Sequence, residues 1–134
     1  MMRPLILLAG ALSLAACRRA AAPMPDLFGE AAGAWHRTSV KELPPSSAPD
    51  SVPTAAIERI RAASYEGPGK VDARVYQLTS PAAALDMVQG WKPAPDTVFF
   101  YHDRFVVFIR WQSADRQALR EFVATLEKKF PARQ

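Results

Sequence analysis

The residues able to do chemistry are few. The chain of 134 residues holds one cysteine, Cys17, and two histidines, His36 and His102. A zinc site needs three or four ligands at workable spacing. His102-Asp103 supplies two neighbours, and His36 lies far away in sequence. Turn residues chosen for their backbone angles account for that pair. A serine nucleophile could take His102 as its base, and His102 is therefore the one candidate for an enzyme reading. No Gly-x-Ser-x-Gly elbow is present, however, and each serine has a local role as cap, turn or linker. No phosphate-cradling loop, dinucleotide fingerprint or calcium loop appears. Glu66 and Asp72 stand among basic neighbours, which reads as surface pairing. The expectation is a protein that is not an enzyme, with no catalytic residue, no metal ligand and no cofactor.

One surface departs from a plain pattern. Residues 96–111 alternate strongly enough to form a hairpin, with strands at about 96–101 and 104–111 joined at His102-Asp103. Asp and His tolerate the positive φ that tight turns demand. This register pairs Tyr101 with Arg104, Phe100 with Phe105, Phe99 with Val106 and Val98 with Val107. One face then carries Val98, Phe100, Phe105, Val107, Ile109 and Trp111, and it is core. The other carries Phe99, Tyr101, Val106 and Phe108, rimmed by Arg104 and Arg110. Aromatic residues with Arg are enriched at interface hot spots. Two readings stay open for this face: a partner docks on it, or the segment around Trp35 and Leu43 folds over it.

The elements that must position this face follow from the flanking pattern. Residues 20–34 are rich in Ala, Pro and Gly and read as a tether. Residues 35–40 could form an edge strand. The Pro-rich stretch 43–53, with Pro44, Pro45, Pro49 and Pro53, is loop. A short helix is expected near 54–59, then a hairpin of about 60–66 with 70–79 around Glu66-Gly67-Pro68-Gly69. That hairpin is expected to put Ile60, Ala62 and Ser64 on the face of Val71, Ala73 and Val75. Its other face would carry Arg61, Asp72, Arg74 and Tyr76. Ser80-Pro81 starts a helix with Leu85 and Val88 inward, Ala84 and Trp91 beside them, and Gly90 at the exit. A last helix, capped by Ser113, carries the apolar stripe Leu119, Phe122, Val123, Leu126 and Phe130 and stops at Pro131. The fold class predicted is α+β: a mostly antiparallel sheet of two hairpins with two helices packed on one face.

The start of the chain concerns address. Arg3 precedes an apolar run from Leu5 to Ala16, too short to span a bilayer, and Ala15-Ala16-Cys17 follows. Small-small-Cys at this place resembles the bacterial lipobox. The resemblance implies cleavage before Cys17, a thioether from Cys17 to diacylglycerol, and acylation of the new N-terminus. It divides the chain into a signal peptide at 1–16, a lipidated tether at 17–34 and a single α+β domain at 35–134. A chain that keeps two or three acyl chains gains about 0.8 kcal/mol per buried methylene, so the anchor is stable by itself. Arg18 and Arg19 would lie at the lipid head groups. No Asp follows Cys17, and in lipoprotein sorting this points to the outer membrane, facing the periplasm. With no second cysteine, no intramolecular disulfide can form there.

The formal net charge of +4 is mild and falls by one with Arg3. The basic residues are spread along the chain, so nucleic acid is not an expected partner. Tyr65-Glu66-Gly67-Pro68-Gly69, Val75-Tyr76, Ala84, Trp91 and Phe105-Val106-Val107 resemble an uncharacterised group of secreted bacterial domains of unknown function. That resemblance covers about 60–130, supports the first hairpin and implies no catalytic residue. The expected function is a lipid-anchored envelope protein that binds another envelope protein through Phe99, Tyr101, Arg104, Val106, Phe108 and Arg110. The alternative is a small-molecule or lipid binding domain with its pocket between sheet and helices. The large side chains Phe100, Trp111, Phe122 and Phe130 argue that this space is filled.

Overall fold

The computed structural model describes residues 23–49 and 52–130. The expected signal peptide at 1–16, Cys17, Arg18, Arg19 and the expected stop at Pro131 lie outside the described residues. The described chain folds as six strands and two helices: β1 (Ala31–Ala32), β2 (Trp35–Leu43), β3 (Ile57–Glu66), β4 (Lys70–Leu78), α1 (Pro81–Gln89), β5 (Thr97–His102), β6 (Phe105–Gln112) and α2 (Arg116–Glu127). The strands form one sheet in the order β1-β2-β3-β4-β6-β5, with every neighbouring pair antiparallel. The α+β class with a mostly antiparallel sheet therefore stands.

The two helices do not share a face, contrary to the expectation. Side chains from β4 and β6 that point one way (Val71, Ala73, Val75, Val107, Ile109) pack with Leu119, Phe122 and Leu126 of α2. Those pointing the other way (Tyr76, Val106, Phe108) pack with Ala84 and Met87 of α1. The reason is in β6 itself. Phe105–Ile109 are all buried, so that strand has no polar face to leave in water. A sheet apolar on both sides at its centre needs two covers.

On the α2 face, Phe122 is fully buried between Trp35 and Tyr65, with ring centroids at 5.9 and 5.0 Å in edge-on geometry. Trp35 Nε1 donates to Ala118 O at 3.1 Å, and Tyr65 Oη donates to Gly29 O at 2.7 Å. These bonds tie the N-terminal segment to the domain. Leu27 and Phe28 are 1% and 2% exposed within this core. The domain thus begins upstream of Trp35, and residues 27–34 are not tether. The stripe of α2 is as expected at Leu119, Phe122, Leu126 and Phe130, with Val123 half-buried. Its cap is Asp115 rather than Ser113: the Asp115 carboxylate accepts from Ala118 N at 2.9 Å. Ser113 takes a positive φ of 49° in the turn before it.

Three further expectations shift. No helix forms at 54–59; a single 3₁₀ turn, Thr54–Ala56, leads straight into β3. The first hairpin has the three-residue loop Gly67-Pro68-Gly69, and pairing runs Glu66 to Lys70, Tyr65 to Val71 and Ala63 to Ala73. Ile60, Ala62 and Ser64 therefore face with Tyr76, Arg74 and Asp72, opposite to the expected phase, and Arg61 faces with Val75. Only Gly fits the last loop position. Gly69 has φ 148°, and a Cβ there would meet Ser113 O at 2.7 Å. In α1, Ser80 caps as expected, accepting from Ala83 N at 3.1 Å, and Gly90 ends the helix. The inward residues are Ala84 and Met87, however, and Leu85 is exposed.

Phe122→Ala should cost about 3–5 kcal/mol of unfolding free energy, read by denaturant titration. Tyr65 supplies a pH signature. Burial pushes its phenol up to about 12 from an ordinary 10.0, with Arg37 opposing and Asp26 adding to the shift. The fold prefers the neutral phenol, so its contribution is complete below pH 10 and is lost as pH rises from there through about 12. Tyr65→Phe should flatten the fall in stability across that alkaline window, measured by thermal melts against pH.

Candidate functional site

The α1 cover reaches only part of its face. Successive rows of side chains cross the sheet on this side. The first row is Leu43, Ile60, Tyr76, Val106 and Tyr101. The second is Lys41, Ala62, Arg74, Phe108 and Phe99, and the third is Ser39, Ser64, Asp72, Arg110 and Thr97. Most of the first row is buried beneath α1 and the Pro-rich loop, whose Ala48 and Val52 pack on it. Phe108 ends the covered zone. Its ring meets Trp91 at 4.2 Å, Tyr76 at 5.5 Å and Phe99 at 5.8 Å between centroids. Trp91 is placed there because Gly90 ends α1 and the chain turns across the sheet, with Trp91 N bonded to Val88 O at 3.2 Å.

Beyond Phe108 the face opens into a groove of about 850 Å³. Its floor is the small-residue part of the second and third rows, Ala62 and Ser64. One wall is Trp91 with residues 94–97, and the other includes Lys41, Leu43 and Pro49. Three cations line it: Lys41, Arg74 and Arg110. Arg74 Nη1 donates to Tyr76 Oη at 3.4 Å. Among the described residues the ion pairs lie elsewhere, at Arg59–Glu42, Arg61–Glu42 and Arg104–Asp103. Two acids also line the groove, Asp72 and Asp96. Asp72 Oδ1 accepts from Ser64 Oγ at 2.7 Å. On the outer side of β2, Glu42 takes both Arg59 and Arg61; slight burial raises its pKa, but the hydrogen bonds and charges of the two guanidiniums outweigh this and lower it. A smaller cleft of about 140 Å³ lies between α1 and residues 52–56, lined by Val52, Ala56, Leu78 and Met87, and it shares the Trp91 wall.

The six residues expected to form an open partner face are thus divided. Val106 and Phe108 are 0% and 8% exposed, beneath α1 and Trp91. The covering element is chiefly α1 rather than residues 35–45, although Leu43 joins the same cluster. Phe99 is half-buried against Phe108, Tyr101 is exposed at the sheet edge, and Arg110 lies in the groove. Arg104 sits in the turn, 3.6 Å from Asp103. That turn is Asp103-Arg104, with pairing from His102–Phe105 to Thr97–Arg110 and Asp103 at φ 54°. The register is one residue later on each strand than expected, which leaves each residue on its expected face. Lys41, Arg74 and the small floor residues were not singled out from the sequence; only the cross-strand register brings them together.

His102 lies at the end of β5 against the ring of Phe130, 5.3 Å between centroids, while His36 is on β2 near the opposite edge. The structure does not bring them together. Among the described residues no three His, Cys, Asp or Glu side chains gather as a metal site. Also among these residues, no helix is long and apolar enough to cross a membrane. No protein-family model, no curated protein and no solved structure matches the chain.

Phe108→Ala should destabilise the fold by about 3 kcal/mol or more because it empties the centre of an aromatic cluster. Tyr101→Ala, at an exposed position, should stay within about 1 kcal/mol. Parallel chemical denaturation of the two variants reads the difference.

Proposed function

We propose that this chain is a lipid-anchored bacterial envelope protein that works by binding, and that its binding surface is the groove beyond Phe108. The observation that carries this reading is the groove itself. A sheet face that is apolar under α1 becomes polar, concave and cationic where α1 and Trp91 stop. Small floor residues give depth, and the aromatic cluster holds one wall rigid. Binding sites combine rigid apolar walls with a few placed polar groups. The groove holds a hydroxyl beside a carboxylate, Ser64 with Asp72, but its lining includes no histidine to relay a proton, so recognition is the activity it supports best.

The alternative of a small-molecule site between sheet and helix has its own support in the cleft between α1 and residues 52–56. It is close in size to cavities that admit a benzene-sized solute. The α2 side is filled by Phe122 and its neighbours and supports no such reading.

The anchor belongs to the proposal through the lipobox resemblance at Cys17. In a bacterial host, mass spectrometry of the mature chain should find an acylated Cys17 as N-terminus, and Cys17→Ala should leave the protein unprocessed or free of membranes. A photo-crosslinking residue placed at Ser64 in the groove should give discrete envelope adducts. The same residue at Glu121, exposed on α2, should not. Equal adducts from both positions would count against the groove.

A further inference from the structure

Resting on the reading of the groove as the binding surface, we infer that its ligand is an extended acidic peptide segment, with carboxylates on alternate residues. The spacing of the cations carries this. Lys41 and Arg74 share a row and stand two strands apart, on β2 and β4. At about 4.8 Å between strands, their backbones are about 10 Å apart. Arg110 is on β6, one row on from Arg74, at a cross-strand diagonal of about 7–8 Å. In an extended peptide, side chains two residues apart project to the same side about 7 Å from each other. Alternate carboxylates therefore match the Arg74–Arg110 step, and Lys41 adds positive charge at the opposite wall. Ion pairs among the described residues leave all three cations without an acid partner.

Asp72 selects a peptide over a phosphate-bearing ligand. It lies directly opposite Arg110 on the neighbouring strand, in the same row, one row on from Arg74, and it lines the groove. One of its oxygens accepts from Ser64, which leaves the other to accept from a ligand. A peptide backbone brings N–H donors between its acidic side chains. A phosphodiester brings only acceptors at its charged part and would meet Asp72 with repulsion. Asp96 at the wall acts in the same sense. The exposed edge of Trp91 then faces the apolar side chains that alternate with the acids.

The test uses the full chain purified in detergent and a capped hexapeptide of alternating Glu and Ala, followed by calorimetry at low salt. The peptide should bind, and the matching Gln-Ala hexapeptide should bind at least about tenfold more weakly. The double variant Arg74→Gln with Arg110→Gln should weaken the acidic peptide by about tenfold or more. Arg116→Gln with Arg120→Gln removes the same charge from the outer side of α2 and should change binding by less than about twofold. Equal losses in the two double variants would overturn the inference in favour of unspecific attraction to a basic protein. Absence of binding by the acidic peptide would also overturn it. Binding of phosphatidylglycerol vesicles instead, lost with Arg74 and Arg110, would overturn it in favour of a lipid phosphate. Ala62→Trp, or Ser64→Trp should the first not fold, fills the floor and separates this inference from the reading beneath it. If the Gln-Ala peptide binds as well as the acidic one and both are lost on filling, the acidic class fails and the groove stands. If the acidic peptide binds equally well to the filled groove, both fail.

Discussion

Strand β6 has no side that can face water along Phe105–Ile109, and the rest of the domain is arranged around that constraint. Burying five consecutive side chains of a strand requires a layer on each face of the sheet. On one face α2 supplies Phe122 and Leu126, and the N-terminal segment adds Leu27, Phe28 and Trp35 to complete the layer. On the other face α1 supplies Ala84 and Met87, with Ala83 and Val88 half-buried beside them, and no aromatic side chain. A nine-residue helix covers less of the sheet than the twelve-residue α2 does. Trp91 and the Pro-rich loop extend that cover as far as Phe108.

The groove is what the shorter cover leaves. Past Phe108 the strands change character on that face only, from Ile60, Tyr76 and Val106 to Ala62, Ser64, Asp72, Arg74 and Arg110. The opposite face of the same strands stays apolar at Ala63, Ala73 and Ile109. Ser64, Asp72, Arg74 and Arg110 thus gather at one end of this face, while Glu42, Arg59 and Arg61 pair with one another on the opposite face of β2 and β3. Charge is dispersed when counted along the chain, and concentrated when counted across the sheet. This is why a mild net charge coexists with three cations in one concavity.

Much of the fold was legible in the sequence wherever a pattern ran long enough. The stripe running from Leu119 through α2 to Phe130 and the phase of both faces of 97–111 are legible because alternation or helical spacing persists over many residues, although Val98, expected in the core, is exposed near the sheet edge. The β5–β6 turn was placed one residue early because Asp103 tolerates positive φ in either turn; moving both strands together kept the faces intact. The phase of β3 was lost because Ala62-Ala63-Ser64 are small on both faces and carry no alternation. The burial of Leu27 and Phe28 is not legible because two apolar residues among Ala, Pro and Gly show no period. The candidate site was the least legible part. Arg110 is legible as a rim residue, but Arg74 reads as part of a solvated face and Lys41 carries no local signal. Their meeting depends on the register of three strand pairs and on where a helix stops, and neither is local information.

We propose the uncovered end of this face as the place where the protein meets its ligand. The most direct measurement is an amide and indole NMR titration of the full chain in detergent micelles with the alternating Glu-Ala peptide. The account expects shift changes confined to Ala62, Ser64, Arg74 and Arg110 and to the indole N–H of Trp91, with Trp35 and α2 unmoved. Changes centred on Arg116 and Arg120, or spread evenly over the basic surface, would contradict it.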